Sequence, residues 1–235
     1  MPNDESRKQE RIWYIKTLAE GFLTVSLVTG AILLLAGRVT YWQGWVFGGS
    51  LLLIFLVSSV LFADKVDLVK ERRKPGPGTK WWDKVFYALY IPAFFAVVVV
   101  AGLDAGRYGW TAHLPLSLYA ASYVIYALSN LLTLWAMWAN RFFSSTVRIQ
   151  TDRGHEVVEG GPYRIVRHPG YVGAILLATS ISLVLGSLWA LIPAGVVAVL
   201  LIVRTCLEDT TLQRELTGYA DYARRVRFRL VPGIW

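Results

Sequence analysis

Charged residues and cysteine are both scarce in this sequence, and each shortage restricts what the protein can be. Asp, Glu, Lys and Arg make up 17% of the 235 residues, against about a quarter in soluble domains. Hydrophobic residues reach 55%, and they are gathered in long runs, a pattern typical of membrane-spanning helices. The chain has one cysteine, Cys206, which excludes an intrachain disulfide.

Several well-known catalytic patterns are also missing. The sequence contains no dinucleotide-binding glycine motif, paired-cysteine motif, zinc-protease motif or serine-hydrolase elbow. His155 and His168 have no third strong ligand near them in sequence, so no metal is expected. A net charge of +8 would suggest nucleic acid in a soluble protein. No polar domain is present to bind it, so the basic residues are expected on cytoplasmic loops instead.

Six apolar runs predict membrane spans, because a transmembrane helix needs about 20 predominantly apolar residues. They cover approximately residues 18–37, 42–63, 85–103, 116–138, 171–185 and 188–207. Gly186 and Ser187 are the only break between the last two runs, so the chain is expected to turn back there. We expect the first run to be a retained span and not a cleaved signal.

The basic residues predict an orientation. Of the 24 Lys and Arg residues, 22 lie in the N-terminal tail, in the loops 64–84 and 139–170, or from residue 204 onward. The other two are Arg38 and Arg107. By the positive-inside rule, both termini and both long loops are expected in the cytoplasm. In the loop 64–84, the basic run at Arg72, Arg73 and Lys74 is expected to meet anionic headgroups, and the Gly-Pro tract 75–78 is expected to form a turn.

Residues suited to binding a small molecule are concentrated in the segment 148–173. Pro169 stands where the fifth span should begin, a usual place for proline, and the backbone amides of a helix start suit an anion. Four further residues offer aromatic faces or room for a ligand beside the backbone: Tyr163, Tyr171, Gly170 and Gly173. This composition favours a bound molecule with an anionic end, and a structured loop without a ligand is the alternative.

The C-terminal segment, residues 204–235, has two notable patterns. Arg204 and Glu208 are four residues apart, so they share one face of a helix where the sixth span leaves the bilayer. Charges in that position are costly and often functional. A rough helical stripe, which predicts an interfacial helix, consists of Leu207, Leu212, Leu216 and Tyr219.

Two groups of residues resemble the paired motifs of a known family. The first is Gly161-Pro162-Tyr163 with Arg167-His168-Pro169-Gly170-Tyr171-Val172-Gly173, and the second is Arg204, Glu208, Asp209, Leu212, Tyr219, Tyr222, Val226 and Pro232. This arrangement is similar to that of the isoprenylcysteine carboxyl methyltransferases and related membrane phospholipid methyltransferases. It covers roughly residues 140–235, and Asp209 departs from it, because many relatives have Glu there.

The combined prediction for the fold is an all-α polytopic membrane protein. It has about six transmembrane helices, a C-terminal interfacial helix and a cytoplasmic cofactor pocket. Residues 1–138 would hold the first four spans and the loop 64–84. Residues 139–235 would form the methyltransferase catalytic region, with a helical hairpin over 171–207.

The resemblance implies S-adenosyl-L-methionine as the cofactor. Carried over residue by residue, the cofactor site would consist of Arg148, Gln150, His155, Glu156, Val157, Val158, Tyr163, Arg167, His168, Pro169, Gly170, Tyr171 and Glu208. The register near Arg148 and Gln150 stays open. Arg204 would hold the acceptor, and Arg204 and Glu208 would be the catalytic residues.

The acceptor implied by the resemblance is a lipid or a prenylated molecule in the membrane. The first choice is the C-terminal carboxylate of an isoprenylcysteine, which is ionised at neutral pH and needs no general base. The alternative is the amine of a phospholipid. Two readings of other kinds stay open: an NADPH-dependent enzyme similar to sterol reductases, and a non-enzymatic membrane protein.

Overall fold

Helices account for the regular structure of this computed structural model, which describes residues 4–72 and 78–235, with side chains from residue 12 onward in the first range. No strand occurs in those two ranges. The helices are α1 Asp4–Ala36, α2 Trp42–Leu61, α3 Val66–Arg72, α4 Trp81–Ala101, α5 Leu116–Ala139, α6 Pro169–Val184, α7 Leu191–Glu215 and α8 Tyr219–Arg225. Arg73, Lys74 and residues 75–77 of the predicted turn lie outside the described residues. The all-α polytopic prediction is confirmed.

Among the described residues, five helices are long and apolar enough to cross a membrane. These segments are Ile12–Ala36, Trp42–Leu61, Trp81–Tyr108, Leu116–Ala139 and Leu191–Glu215. The predicted fifth span corresponds to α6, which has 16 residues. At 1.5 Å per residue, α6 is about 24 Å long, shorter than a hydrocarbon core of about 30 Å.

The short helix α6 is packed among α4, α5 and α7. Its residues Ala178, Ile181 and Val184 are buried in the main apolar core. A Cβ added to Gly173 would lie 2.3 Å from Thr133 Oγ1 and 3.0 Å from the Ser129 carbonyl oxygen on α5. Gly173 therefore permits close packing of α5 and α6, and its predicted role of admitting a ligand to the backbone is wrong.

The turn between α6 and α7 lies where the sequence predicted it. Gly186 has a φ of +81°, in the left-handed region that favours glycine. The hydroxyl of Tyr41, at the start of α2, donates to the carbonyl oxygen of Leu185. The first hairpin, α1–α2, is therefore tied to the turn between α6 and α7.

The C-terminal stripe is divided between two helices. Leu207 and Leu212 lie on α7, which continues past the predicted end of the sixth span to Glu215. Tyr219 begins the seven-residue helix α8. Leu216 and Tyr219 are buried in a second core with Tyr163, so this segment packs beneath the loop 140–168.

Candidate functional site

A cleft lies where the loop 140–168 meets the beginning of α6 and the end of α7. Its volume, counted to its open mouth, is about 850 Å³. Of the residues predicted for the cofactor, those in its wall are Arg148, Gln150, His155, Glu156, Val157, Val158, Tyr163, Arg167, His168, Gly170, Tyr171 and Glu208. Pro169 starts α6 and is buried, but it does not line the cleft.

The chain positions an acidic group at the inner wall of the cleft. The Tyr171 hydroxyl donates to Oε2 of Glu208, which joins the start of α6 to α7. The Tyr171 ring stacks on the His168 imidazole, with centroids 5.6 Å apart and planes 1° from parallel. Glu208 is thereby held beside two flat rings.

Asp209, whose role the sequence left open, supports the cleft from behind. Its side chain is fully buried and does not line the cleft. Its partners are Arg167 Nη1 at 2.9 Å, Tyr219 Oη at 3.0 Å, Arg229 Nε at 3.0 Å, Gln213 Nε2 at 2.8 Å and His168 Nε2 at 3.4 Å. These contacts link the first motif to α7, α8 and the C-terminal segment, so Asp209 orients groups that face the cleft.

The C-terminal segment also fixes the backbone of the first motif. The amide of Arg167 donates to the Phe228 carbonyl oxygen, and that of His168 donates to the Arg229 carbonyl oxygen, both at 3.0 Å. Such paired bonds hold an irregular loop in one conformation, because they satisfy its buried backbone groups. The residues after α8 are therefore part of the site.

Hydrogen bonds within the loop 140–168 hold the outer part of the cleft in place. Nδ1 of His155 accepts the backbone N–H of Gln150 at 3.2 Å, and burial lowers the pKa of His155. The side-chain amide of Gln150 donates from Nε2 to the Phe142 carbonyl oxygen at 2.7 Å. His155 is therefore held in its neutral form, and Gln150 braces the wall of the cleft with its side chain.

Arg204 lies one helical turn before Glu208 on α7 and does not line the cleft. Its Nη2 is 2.9 Å from Oδ1 of Asp83 and 2.6 Å from the Ser145 carbonyl oxygen. Its guanidinium lies 4.4 Å from the centroid of the Phe86 ring and 5.3 Å from that of Tyr171. Nε of Arg204 is buried and has no hydrogen-bond partner among the described residues.

Asp83, the partner of Arg204, is a residue that the sequence analysis did not single out. It lies in the first turn of α4 and is fully buried. Its Oδ2 accepts the Val147 amide at 2.8 Å, so it connects the third span to both the loop and α7. The only signal in the sequence is an acidic residue at the start of an apolar run, and a separation of 121 residues from Arg204 hides the pair.

The loop between α2 and α4 supports the cleft. Glu71 pairs with Arg148 Nη2 at 2.5 Å, and Lys80 pairs with Glu215 at 2.7 Å. Arg72 lies with Nη1 2.8 Å from Met137 Sδ and its guanidinium 4.8 Å from the centroid of the Phe143 ring. Arg72 therefore contacts protein, and contact of the basic run with headgroups stays a prediction.

Three features of the cleft matter for its chemistry. It presents aromatic faces, the carboxylates of Glu156 and Glu208 and an open mouth, with the Arg204 guanidinium buried one turn further into the bundle. Within the part of the chain that the structure describes, no group of three His, Cys, Asp or Glu side chains could hold a metal ion. The arrangement suits binding and orientation of a charged organic molecule.

Comparison with known proteins agrees with the motifs. Residues 117–217 match the family model described as phospholipid methyltransferase. That segment contains α5, the cleft loop, α6 and α7. No curated protein matches the chain significantly. The resemblance noted from the two motifs is confirmed at the level of the family for residues 117–217.

Proposed function

We propose that the protein transfers a methyl group from S-adenosylmethionine to the polar head of a lipophilic acceptor, at the cytoplasmic face of the membrane. The observation that most directly supports this proposal is the cleft, whose wall contains both Glu208 and residues of the first motif. Arg204 lies one turn deeper on the same helix, towards the membrane-spanning part. A water-soluble donor and a membrane-embedded acceptor could approach this place from opposite directions.

The residues of the cleft fit the proposed cofactor. When bound, S-adenosylmethionine supplies a methyl group on a positively charged sulfur. The Glu208 carboxylate and the face of Tyr171 both favour a cation. His168, stacked on Tyr171, would restrict the orientation of that ring.

The first candidate acceptor is the carboxylate of an isoprenylcysteine. A carboxylate oxygen would attack the methyl carbon as the carbon–sulfur bond breaks, so no proton has to be removed. Arg204 supports this choice, because its buried Nε–H lacks a partner and a guanidinium suits a carboxylate. The protein's contribution would be orientation, which can supply a large part of such a rate acceleration.

The second candidate acceptor is the amine of a phospholipid. Two observations favour it: the description of the matching family model, and Asp83, whose carboxylate already offsets the charge of Arg204. An ammonium head would have to lose a proton before its nitrogen could attack. Two carboxylates line the cleft. Glu156 is paired with Arg141, so Glu208 is our candidate to accept that proton.

A methylation assay with labelled cofactor tests the proposal and separates the two acceptors. The purified protein is given a farnesylcysteine analogue or phosphatidylethanolamine, in wild-type form and as Arg204→Lys. For a carboxylate acceptor, turnover by Arg204→Lys should fall about tenfold or more, since about 1.4 kcal/mol suffices. For an amine acceptor, that variant should keep most of its activity.

Cofactor binding is measured in parallel by calorimetry. S-adenosylhomocysteine should bind and NADPH should not. Binding of NADPH alone would replace the methyltransferase proposal with the reductase alternative. Loss of cofactor binding in Arg204→Lys would assign Arg204 to the cofactor pocket instead of the acceptor.

A further inference from the structure

A second cavity lies at the end of the helical bundle opposite the cleft, with an open volume of about 710 Å³. It is bordered by the link between α1 and α2, by the π-helical turn Gly102–Tyr108 that follows α4, and by Gly186 after α6. π-helical turns are rare and are frequent at functional sites. The methyl-transfer site uses none of these residues.

Arg38 and Arg107, the only two basic residues outside the predicted cytoplasmic segments, both line this cavity. Nη2 of Arg38 donates to the Ala105 carbonyl oxygen at 3.1 Å, and Nη2 of Arg107 donates to the Leu34 carbonyl oxygen at 2.8 Å. These bonds fix both guanidinium groups but use few of their five N–H donors. Across residues 12–72 and 78–235, neither arginine has an ion pair with a carboxylate.

The nearest carboxylate is already satisfied by neutral donors. Asp104 is fully buried beneath the cavity. It accepts the Thr111 amide at 2.6 Å, the Thr111 hydroxyl at 2.5 Å and the Ser187 hydroxyl at 2.6 Å. The two arginines and this one carboxylate leave a single positive charge, which matches the single negative charge of a phosphodiester.

Other polar groups of the cavity wall could also face an anion. His113 lines it, and the Gln43 amide is held there by donating to the Tyr119 hydroxyl at 3.1 Å. The shape of the wall is set by close backbone packing. A Cβ on Gly106 would lie 2.4 Å from Cβ of Ala36, so the π-helical turn sits directly against α1.

The surroundings favour a lipid as the source of the phosphate. Tyr108 and Trp110 are stacked with centroids 5.2 Å apart, and each is 57% exposed. Trp42 packs on Tyr119 with centroids 5.1 Å apart. Exposed Trp and Tyr at the ends of spans lie at the level of lipid headgroups, and basic pockets between transmembrane helices bind anionic headgroups.

We propose that this cavity binds the phosphate of an anionic phospholipid from the leaflet opposite the cleft, between Arg38 and Arg107. The lipid would join the first hairpin to the π-helical turn and to the end of α6. It would therefore stabilise the folded bundle without contacting the methyl-transfer site.

The test measures the melting temperature of the delipidated full-length protein in detergent. Phosphatidylglycerol should raise it by several degrees more than phosphatidylcholine, because a ligand that binds only the folded state stabilises it. The double variant Arg38→Gln/Arg107→Gln should lose that difference. The control Arg164→Gln/Arg214→Gln removes two exposed charges at the other end of the bundle. It should keep the difference between the two lipids.

Three results would overturn the proposal. The first is an undiminished response to phosphatidylglycerol in Arg38→Gln/Arg107→Gln, and the second is an equal reduction in both double variants. The third is that millimolar inorganic phosphate alone reproduces the whole shift, which would make free phosphate the ligand. If the double variant fails to fold, the wild-type protein is labelled instead with a photoreactive phosphatidylglycerol analogue, and the labelled residues are identified. The analogue should label residues 105–113, and labelling confined to other segments would contradict the site.

Discussion

At the scale of single residues, Glu208 is the group that links the two motifs. Its carboxylate accepts the Tyr171 hydroxyl and faces the cleft that holds most of the residues implied by the resemblance. Asp209, beside it, is turned away into a buried network. Neighbouring acidic residues on one helix therefore have different tasks, the first at the wall of the cleft and the second behind it.

We expect Glu208→Gln to weaken S-adenosylmethionine binding while the protein still folds. A hydrogen bond to a charged group contributes about 1.5–3 kcal/mol, so the dissociation constant should rise roughly tenfold or more. His168→Ala should weaken binding as well, because Tyr171 loses the ring on which it stacks. Calorimetry in detergent provides the measurement. Arg214→Gln, at an exposed position of the same helix outside the cleft, is the control. Unchanged affinity in both cleft variants would remove Glu208 and His168 from the cofactor site.

Asp83 is expected to act through Arg204. Removing one partner of a buried ion pair is costly, at about 3–5 kcal/mol, so Asp83→Asn should lower the melting temperature. Turnover should fall about tenfold or more while cofactor affinity changes little, because Arg204 would lose its orientation. A double-mutant cycle with Arg204→Gln tests the dependence. If Asp83 works only by positioning Arg204, the substitution Asp83→Asn should have little effect on turnover in the Arg204→Gln background. Losses that multiply would assign Asp83 an independent role.

His155 should make cofactor binding and stability depend on pH. Burial lowers its pKa below the unfolded value of about 6.5. A lowered folded pKa means that neutral His155 contributes stability above about pH 6.5, and that this contribution is lost as the pH falls through the folded pKa. Protonation of Nδ1 would also break the hydrogen bond that the backbone amide of Gln150 donates to His155.

The measurement is a melting temperature and a cofactor affinity at several pH values. Both should decline on the acidic side in the wild type. His155→Asn should flatten the decline, since its Oδ1 can accept the same amide at every pH. An unaltered acidic decline in His155→Asn would show that another group causes it.

At the scale of elements, the spans were predictable and the supports of the cleft were not. Apolar runs identify α1, α2, α4, α5 and α7 because each must supply about 20 residues to the bilayer. The seven-residue helix α3 has no such signal, and its contacts with the cleft loop through Glu71 and Arg72 join distant parts of the chain. The pairing of Asp83 with Arg204 was hidden for the same reason, because hydropathy locates spans but does not say which of them are neighbours.

Gly173 gives the packing of α5 on α6 a direct test. An added methyl group would meet Thr133 Oγ1 at 2.3 Å and the Ser129 carbonyl oxygen at 3.0 Å, so Gly173→Ala should force the helices apart. Overpacking of this kind costs about 1–3 kcal/mol, and the melting temperature should fall accordingly. Gly195→Ala on α7, where nothing lies within 4 Å of the added methyl, is the matched control.

A second variant tests whether the clash is the cause of that loss. Thr133→Ala removes the nearer obstacle and leaves the backbone oxygen of Ser129, so it should restore only part of the stability lost in Gly173→Ala. Equal melting temperatures for Gly173→Ala and Gly195→Ala would contradict close packing at this contact.

At the scale of the whole molecule, the distribution of charge and the positions of the cavities agree. The cleft lies at the end of the bundle that holds the long basic loops, and the second cavity lies at the end that holds Arg38 and Arg107. The positive-inside rule assigns the first end to the cytoplasm, where a soluble cofactor would be available.

That orientation can be measured with introduced cysteines, because the chain has a single one, Cys206. In a Cys206→Ser background, Val39→Cys marks the link between α1 and α2, and Thr217→Cys marks the link between α7 and α8. Both positions are exposed. A membrane-impermeant maleimide applied to intact cells should label Val39→Cys at once and Thr217→Cys only after permeabilisation, because the 22 basic residues hold the second end inside. Reporters fused to the two termini should both read as cytoplasmic. Labelling of Thr217→Cys in intact cells would mean that the orientation is the reverse of the predicted one. Opposite readings from the two termini would mean that the number of spans is odd. In that case α6, with its 16 residues, would be the first helix to be removed from the count of spans.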